Sequence, residues 1–280
     1  RLHPLVEPTA ALPTRGRFTP PDRDRLHPLV EPTAAFPARG GFWQALAFLT
    51  PLGGAAAPSQ AAFVWFPVIG ALLGMVLGSV WWGTERVMGP FVAAALVVAA
   101  DLALTGALHF DGLLDSADGL LPHLPTERRL AVMAEPDVGA FAIAAGASTL
   151  LLRTAALTAL GTARPLLLGG LWCLARTAMA VTATTGRYAR THGLASSFLS
   201  EPRSAAWAPA AALGSVLVLG LAVLDDPAAL VAVVAAGAGA AGVAALARRR
   251  IGGFTGDTLG AGGVIAETVG LLTAVAVLRP

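Results

Sequence analysis

Residues 89–108 read GPFVAAALVVAADLALTGAL, and residues 109–121 continue as HFDGLLDSADGLL. The first part is an apolar run with Asp101 as its one charged residue, and its length of about 20 residues is what an α-helix needs to cross a bilayer. The second part brings Asp111, Asp115 and Asp118 close together in the sequence. A membrane crossing that leads directly into clustered carboxylates predicts an integral membrane protein with a polar site near the membrane surface.

Similar apolar runs make up most of the chain. Of its 280 residues, 55% are hydrophobic and 13% are charged, and the mean hydropathy is +0.69. This exceeds what the core of a water-soluble domain requires, so we predict an all-α, polytopic integral membrane protein with about seven transmembrane helices. The predicted spans are 61–82, 89–108, 139–162, 165–185, 205–224, 227–247 and 263–278.

The N-terminal region differs from the rest in composition. Residues 1–41 are rich in Pro and Arg, and Arg1–Ala11 is repeated at Arg25–Ala35. We expect a duplicated, disordered tail here, followed by a single membrane-embedded catalytic domain over residues 42–280. Residues 42–56 are apolar but are interrupted by Pro51, so they predict a short interfacial or re-entrant helix rather than a span.

The basic residues are all arginine, and their distribution predicts the orientation. Most lie in the tail and in the predicted loops 109–138, 186–204 and 248–262, which fall on one side of a seven-span arrangement. The positive-inside rule makes that side cytoplasmic, and the aspartates with it. Because the arginines are spread over these loops between apolar runs, the sequence pI of about 9.5 does not indicate a nucleic-acid partner.

Asp111, Asp115 and Asp118 are spaced i, i+4 and i+7 and would share one helix face, within about 60° of arc. Carboxylates so close repel one another unless a cation lies among them, and oxygen ligands favour Mg²⁺ or Mn²⁺. The alternative is a solvated acidic face. His109 would lie roughly 160° from the aspartates on a continuous helix, so the spacing does not place it in the same cluster.

Residues 251–263, IGGFTGDTLGAGG, are rich in glycine and lead into the last apolar run. They predict a loop whose backbone N–H groups can approach an anion, followed by a helix N-terminus. Its candidates are Asp257 as a further metal ligand and, as phosphate contacts, Gly253, Thr255, Gly256 and Thr258. The alternative is a flexible turn with Asp257 as a helix cap.

Arg153 and Arg176 fall inside apolar runs, where an ionised side chain costs about 2.5–3.5 kcal/mol. We expect each to face a partner, either substrate phosphate or a carboxylate such as Asp101; snorkelling to the membrane surface is the alternative. Arg187 begins a predicted cytoplasmic loop that could hold an anionic substrate. Glu135 either extends the acidic site or lies in a solvated loop.

Several motifs, in this order, resemble those of the cobalamin synthase family. They are Gly106-x-x-His109-x-Asp111-Gly112-x-x-Asp115-x-x-Asp118-Gly119, the Met133–Phe141 segment, and Gly253-x-Thr255-Gly256-Asp257-x-Leu259-Gly260. The resemblance covers about residues 42–275. Two departures are Pro51-Leu52-Gly53, where the family has Arg-Leu-Pro, and Ala134, where it has a basic residue.

The resemblance implies an enzyme of the bacterial inner membrane, with its site on the cytoplasmic side, that joins GDP-activated adenosylcobinamide to α-ribazole or its 5′-phosphate and releases GMP. It implies Mg²⁺ as the cofactor and His109 as a general base. The implied metal ligands are Asp111, Asp115, Asp118, Asp257 and Glu135. The implied substrate contacts are Arg153, Arg176, Arg187, Gly253, Thr255, Gly256 and Thr258. The implied partners are the two substrates and the lipid bilayer, and a homo-oligomer is compatible with the sequence.

Two other functions are weighed against this one. A CDP-alcohol-type phosphotransferase also combines aspartates with magnesium, but its Asp-Gly-x-x-Ala-Arg signature is not matched, because Asp115-Ser116 follow Asp111-Gly112-Leu113-Leu114. An ion-coupled transporter would also carry broken helices and intramembrane charges. Matched interrupted segments in two halves of the chain, which would favour a transporter, are not evident.

Overall fold

The apolar runs form helices, because a backbone that crosses a bilayer must satisfy its hydrogen bonds within the segment. The computed structural model describes residues 40–53, 59–190 and 207–278, so the predicted tail lies outside the described residues up to Arg39. The helices are α1 (Gly41–Leu49), α2 (Phe66–Met88), α3 (Pro90–Leu104), α4 (Leu108–Leu120), α5 (Thr126–Val132), α6 (Ala140–Leu160), α7 (Pro165–Thr185), α8 (Trp207–Asp225), α9 (Ala229–Ile251) and α10 (Gly256–Val277).

The predicted all-α, polytopic membrane architecture is confirmed. Within the described residues, six helices are long and apolar enough to cross a membrane: Gln60–Met88, which includes a 3₁₀ turn before α2, and α6 to α10. A seventh crossing is obtained if α3 and α4, which are bent by 90° relative to one another, count as one interrupted span. The short N-terminal helix is also present as α1, which has nine residues and ends before Pro51.

The second predicted span, 89–108, is shorter in the structure. α3 ends at Leu104, and Gly106 and Ala107 both adopt left-handed backbone conformations, with φ of 58° and 57°. This conformation is unfavourable for alanine and interrupts the helical hydrogen bonds. The chain therefore turns, and α4 lies at 90° to α3 instead of continuing the crossing.

The helices pack around α7. It is the most buried of the six spans, with 72% of its apolar window inside the protein, against 17% for α9 and 22% for α8. α7 packs most extensively against α2, and α10 lies against α9, α4 and α7. α4 packs against both α6 and α10. The acidic helix is therefore held between the beginnings of two membrane-spanning helices.

Candidate active site

The predicted acidic face of α4 is present. The side chain of Asp111 is exposed, and those of Asp115 and Asp118 are half-buried. On the neighbouring face, Gly112 meets the start of α10: a Cβ atom at this position would lie 2.7 Å from the carbonyl oxygen of Asp257. Only glycine allows this approach. The contact places Asp257 beside the aspartates of α4.

The carboxylates at this end of the bundle influence one another electrostatically. The pKa of Asp115 is raised from 3.8 to about 7, chiefly by burial and also by the negative charges of Asp111, Asp257 and Asp118, while the positive charge of Arg190 opposes this rise. A carboxyl group that resists ionisation in this way is stabilised by any cation that binds nearby. We call Asp111, Asp115, Asp118 and Asp257 the acidic cluster.

Arg190 supplies a positive charge to the acidic cluster. Its Nη2 lies 2.9 Å from Oδ2 of Asp257 and donates to the carbonyl oxygen of Met133 at 3.1 Å. The loop that carries it is fixed by a short β-bridge between Tyr188 and Phe254, in which the Ala189 N–H donates to the Phe254 carbonyl at 2.8 Å. Spacing along the chain does not distinguish Arg190 from Arg187 as the partner of an aspartate.

Asp118 has a structural role that the sequence did not predict. Its Oδ2 accepts a hydrogen bond from the Gly139 N–H at 2.6 Å, and its Oδ1 accepts one from the Ala142 N–H at 3.0 Å. Gly139 is the N-cap residue of α6 and has no side chain that could accept these bonds. Asp118 therefore caps α6 from another helix.

The C-terminal end of α4 is also held by α5. The Nη1 atom of Arg129 donates to the carbonyl oxygens of Gly119 and Leu120 at 2.8 and 2.9 Å. These carbonyls belong to the last turn, where a helix has no partners of its own for its final C=O groups. α4 is thus anchored at its C-terminal end by α5 and through Asp118 by α6.

Two predicted site residues do not join this arrangement. His109 is buried, and its two ring nitrogens have no hydrogen-bond partner among the described residues. It lines a water-sized cavity of about 10 Å³ together with Asp101, Arg153, Arg176 and Glu267. Glu135 is exposed and pairs with Arg128 at 2.7 Å. Neither position supports the predicted role in base catalysis or metal binding, and both roles stay predictions.

Arg153 and Arg176 are buried inside the bundle and are paired with carboxylates. Nη1 of Arg153 lies 2.7 Å from Oδ2 of Asp101, and both arginines form ion pairs with Glu267. Trp172 Nε1 donates to Asp101 Oδ1 at 2.9 Å. The network joins α3, α6, α7 and α10, and its two positive and two negative formal charges balance. Of the two partners expected for Arg153 and Arg176, the structure therefore shows the carboxylate. It does not support a contact of these arginines with substrate phosphate.

The glycine-rich loop predicted over residues 251–263 is shorter in the structure and covers only residues 252–255. α10 already begins at Gly256, because Thr255 and Thr258 form a capping box: the Thr258 N–H donates to Thr255 Oγ1 at 3.3 Å, and the Thr255 N–H donates to Thr258 Oγ1 at 2.9 Å. Both threonines are buried and satisfy the helix N-terminus. Gly253 packs against the Arg187 carbonyl, where a Cβ atom would overlap the oxygen.

The acidic cluster fits a divalent cation in donor chemistry and charge. Its oxygen donors are those that Mg²⁺ prefers, and the raised pKa of Asp115 reflects a need for positive charge. As the side chains stand, no three Asp, Glu, His or Cys residues in the described ranges converge closely enough to hold a metal ion. A bound cation would therefore require side-chain rotation within the cluster.

Comparison with known proteins identifies a family. The model of the family described as cobalamin-5-phosphate synthase matches residues 41–275. An adenosylcobinamide-GDP ribazoletransferase of Pseudomonas paraeruginosa is 37% identical over 231 residues, covering 78% of this chain and 90% of the relative. The enzymes of the same name from Bradyrhizobium diazoefficiens and Chlorobium phaeovibrioides are 36% and 32% identical, covering 83% and 80% of this chain and 92% and 91% of the relatives. No solved structure matches the chain.

Proposed function

The chain belongs to the cobalamin-5-phosphate synthase family, and on that premise we propose that the acidic cluster is the centre of its transferase site. The activity is that of its relatives, an adenosylcobinamide-GDP ribazoletransferase: it joins adenosylcobinamide-GDP and α-ribazole to make cobalamin. The observation that supports this site is the backbone contact between Gly112 and Asp257, which unites the carboxylates of α4 and α10.

In the proposed reaction a hydroxyl oxygen of ribazole attacks the phosphorus atom that bears cobinamide. A new P–O bond forms, the bond to the GMP oxygen breaks, GMP leaves with the electron pair, and the hydroxyl proton is released. Such a transfer depends on alignment of the two substrates and on neutralisation of phosphate charge. A site for this reaction must therefore bring cationic groups to a fixed position at the surface that the substrates reach.

The acidic cluster meets these requirements with residues on fixed elements. Asp111, Asp115 and Asp257 would hold Mg²⁺, which when bound neutralises phosphate charge. Arg190 adds a guanidinium group beside Asp257, where it can contact a phosphate oxygen. Asp118 keeps α4 in position by capping α6. His109 receives no step, since its ring is buried in the bundle.

We place this end of the bundle at the cytoplasmic face of the bacterial inner membrane. The described arginines outside the bundle interior are concentrated there, namely Arg128, Arg129, Arg187, Arg190, Arg248, Arg249 and Arg250. Arg86 and Arg164 lie at the opposite end. This distribution follows the positive-inside rule. Both soluble substrates would then reach the acidic cluster from the cytoplasm.

The test uses the purified full chain in detergent with adenosylcobinamide-GDP, α-ribazole and Mg²⁺, and follows GMP and the corrinoid product. We expect Mg²⁺-dependent product formation, a large loss in Asp115→Asn and in Asp257→Asn, and full activity in Glu127→Gln, an exposed acid at the same end. Absence of product from folded protein, or full activity in Asp115→Asn, would contradict the proposal. Substrate uptake into sealed vesicles without product would favour a transporter.

A further inference from the structure

A cavity of about 380 Å³ lies beyond the acidic cluster, between the C-terminal end of α7, the second half of α9 and the turn that precedes α10. Its wall is formed by small residues of α9, the Gly252–Gly253 turn and the ring of Phe254. Its polar side chains are those of Thr182, Thr185, Arg187 and Arg248. The cavity thus has an apolar body with two positive charges at its border.

We infer that this cavity binds the phosphate monoester of a nucleoside with an apolar base, which in the proposed reaction is α-ribazole 5′-phosphate. The inference rests on the proposed function and adds to it the location of the second substrate and the side chains that would hold its phosphate. Three properties of the cavity support it: charge, wall chemistry and size.

The charge favours a phosphate. Arg187 and Arg248 are both exposed, come from two different elements and line the same cavity, and none of the other residues lining it is acidic. Neither arginine forms an ion pair with a carboxylate within the described ranges. Guanidinium groups bind phosphate oxygens through paired, charge-assisted hydrogen bonds. A phosphate monoester carries about −1.5 to −2 charge near neutral pH, which two arginines can balance.

The wall favours an apolar base over guanine. Ala241, Ala244, Ala245 and Phe254 present no side-chain hydrogen-bond donors or acceptors. A guanine edge buried against them would lose hydrogen bonds to water without replacement, which costs free energy. The benzimidazole ring of ribazole has few polar atoms and suits such a wall. Thr182 and Thr185 lie near the polar border, where Thr185 Oγ1, which donates to the Val181 carbonyl at 2.7 Å, can still accept a hydrogen bond from a ribose hydroxyl.

The size favours one small ligand. About 380 Å³ is near the lower end of the roughly 300–1,000 Å³ range of small-molecule pockets. This volume accommodates a single nucleotide-sized molecule but not a corrin ring with its attached nucleotide. The corrinoid must therefore bind elsewhere, and the cavity is left for the other substrate.

The cavity is also connected to the acidic cluster through the β-bridge. Phe254 lines the cavity and pairs with Tyr188, and their rings are 5.5 Å apart in an edge-to-face arrangement. Arg190 follows Tyr188 by two residues and binds Asp257, which follows Phe254 by three. A ligand in the cavity therefore lies against the same segment that positions Asp257.

The test measures equilibrium binding of α-ribazole 5′-phosphate and of α-ribazole to the purified full chain without corrinoid. The variants are Arg187→Gln and Arg248→Gln, with Arg249→Gln as the matched control, since Arg249 is exposed on the same helix but does not line the cavity. Losing one charge-assisted contact should weaken binding of the phosphate about tenfold to a hundredfold. Binding of α-ribazole should change little, and Arg249→Gln should bind both ligands as the original chain does.

A second variant tests the apolar wall. Ala245→Leu places a larger side chain in the cavity and should weaken binding of both ligands. The two arginine variants, in contrast, should weaken binding of α-ribazole 5′-phosphate but not of α-ribazole. The kinetic counterpart is a rise in KM for the phosphate in Arg187→Gln and Arg248→Gln, with unchanged KM for adenosylcobinamide-GDP.

Three outcomes would overturn the inference. If both arginine variants turn over and bind α-ribazole 5′-phosphate as the original chain does, the cavity is not the binding site of this substrate. The proposed function would then remain intact. A second outcome is that the protein binds phosphatidic acid in micelles and that this binding depends on Arg187 and Arg248. If binding of α-ribazole 5′-phosphate does not depend on them, the cavity holds a lipid headgroup instead. If the folded original chain neither binds the ribazole ligands nor turns over, the proposed function itself fails.

Discussion

The carboxylate of Asp118 lies 2.6 Å from the backbone nitrogen of Gly139, so a side chain of the acidic helix caps the membrane-spanning helix α6. The sequence predicted Asp118 to be a metal ligand. The structure shows a capping role, whereas metal binding by Asp118 stays a prediction, and the two roles would make different demands on its chemistry. A cap requires an acceptor oxygen at this position, whereas a metal ligand requires the negative charge as well.

Asp118→Ala is therefore expected to destabilise the protein, and Asp118→Asn is expected to do so less, because the amide oxygen can still accept from one N–H. Loss of a helix cap costs about 0.5–2 kcal/mol. The measurement is the free energy of unfolding in detergent without metal. Equal stability of the original chain and Asp118→Ala would show that the cap contributes little.

Asp115→Asn should raise stability in the absence of metal at pH 8, and the gain should disappear as the pH falls toward 4. The folded-state pKa of about 7 lies above the ordinary value of 3.8, so the ionised carboxylate destabilises the folded state above pH 7. Below the ordinary value the group is neutral in both states, and no difference remains. Unfolding temperatures in EDTA across this pH range give the measurement.

Glu127→Gln serves as the matched control for Asp115→Asn, because it removes an exposed carboxylate at the same end of the bundle. It should leave the unfolding temperature nearly unchanged at each pH. If Asp115→Asn is no more stable than the original chain at pH 8, burial and the neighbouring carboxylates do not disfavour the ionised form of Asp115 as described.

Gly112→Ala should reduce activity strongly although it removes no functional group. The added methyl would meet the Asp257 carbonyl at 2.7 Å and push α4 away from α10. Overpacking of this kind costs about 1–3 kcal/mol. The measurements are turnover and unfolding temperature. Gly242→Ala on α9, where no atom of the described residues lies within 4 Å of the new methyl, is the control and should retain activity. Full activity in Gly112→Ala would show that the close contact between Gly112 and Asp257 is not needed for turnover.

Glu267→Gln should impair folding before it impairs substrate binding. Among the described residues, it leaves Arg153 with Asp101 as its one carboxylate partner and leaves Arg176 with no carboxylate partner. Removing one member of a buried ion pair costs about 3–5 kcal/mol. The measurements are the yield of folded protein, its unfolding temperature and the KM values. If Glu267→Gln has normal stability but a raised KM for a phosphate-bearing substrate, the result would instead support the predicted contact of Arg153 and Arg176 with substrate phosphate.

The fold could be predicted largely from the sequence, because crossing a bilayer imposes a length and a composition on every span. The boundaries of 165–185 agree with α7 to the residue. The end of α3 was missed, since Ala107 takes a left-handed conformation that alanine normally avoids. The start of α10 was missed as well, since its glycines suggested a loop whereas tertiary packing keeps them helical.

The site was predictable only in part. Helical periodicity was sufficient to place Asp111, Asp115 and Asp118 on one face, because that relationship is local. The pairing of Arg190 with Asp257 and of Asp118 with Gly139 joins positions far apart in the chain, and spacing carries no information about such contacts. The position of Arg153 inside an apolar run of the sequence indicated that it has a partner. Only the packing of α3 and α10 shows that the partners are Asp101 and Glu267.

The ion pair between Arg190 and Asp257 has a consequence for biogenesis. It provides the carboxylates with a counter-charge that is encoded in the polypeptide itself. Under the proposed function, the folded chain would therefore hold these carboxylates in place before any inorganic ion binds. An incoming Mg²⁺ ion would then displace the guanidinium group from Asp257, so that ion binding would be a separate and reversible event.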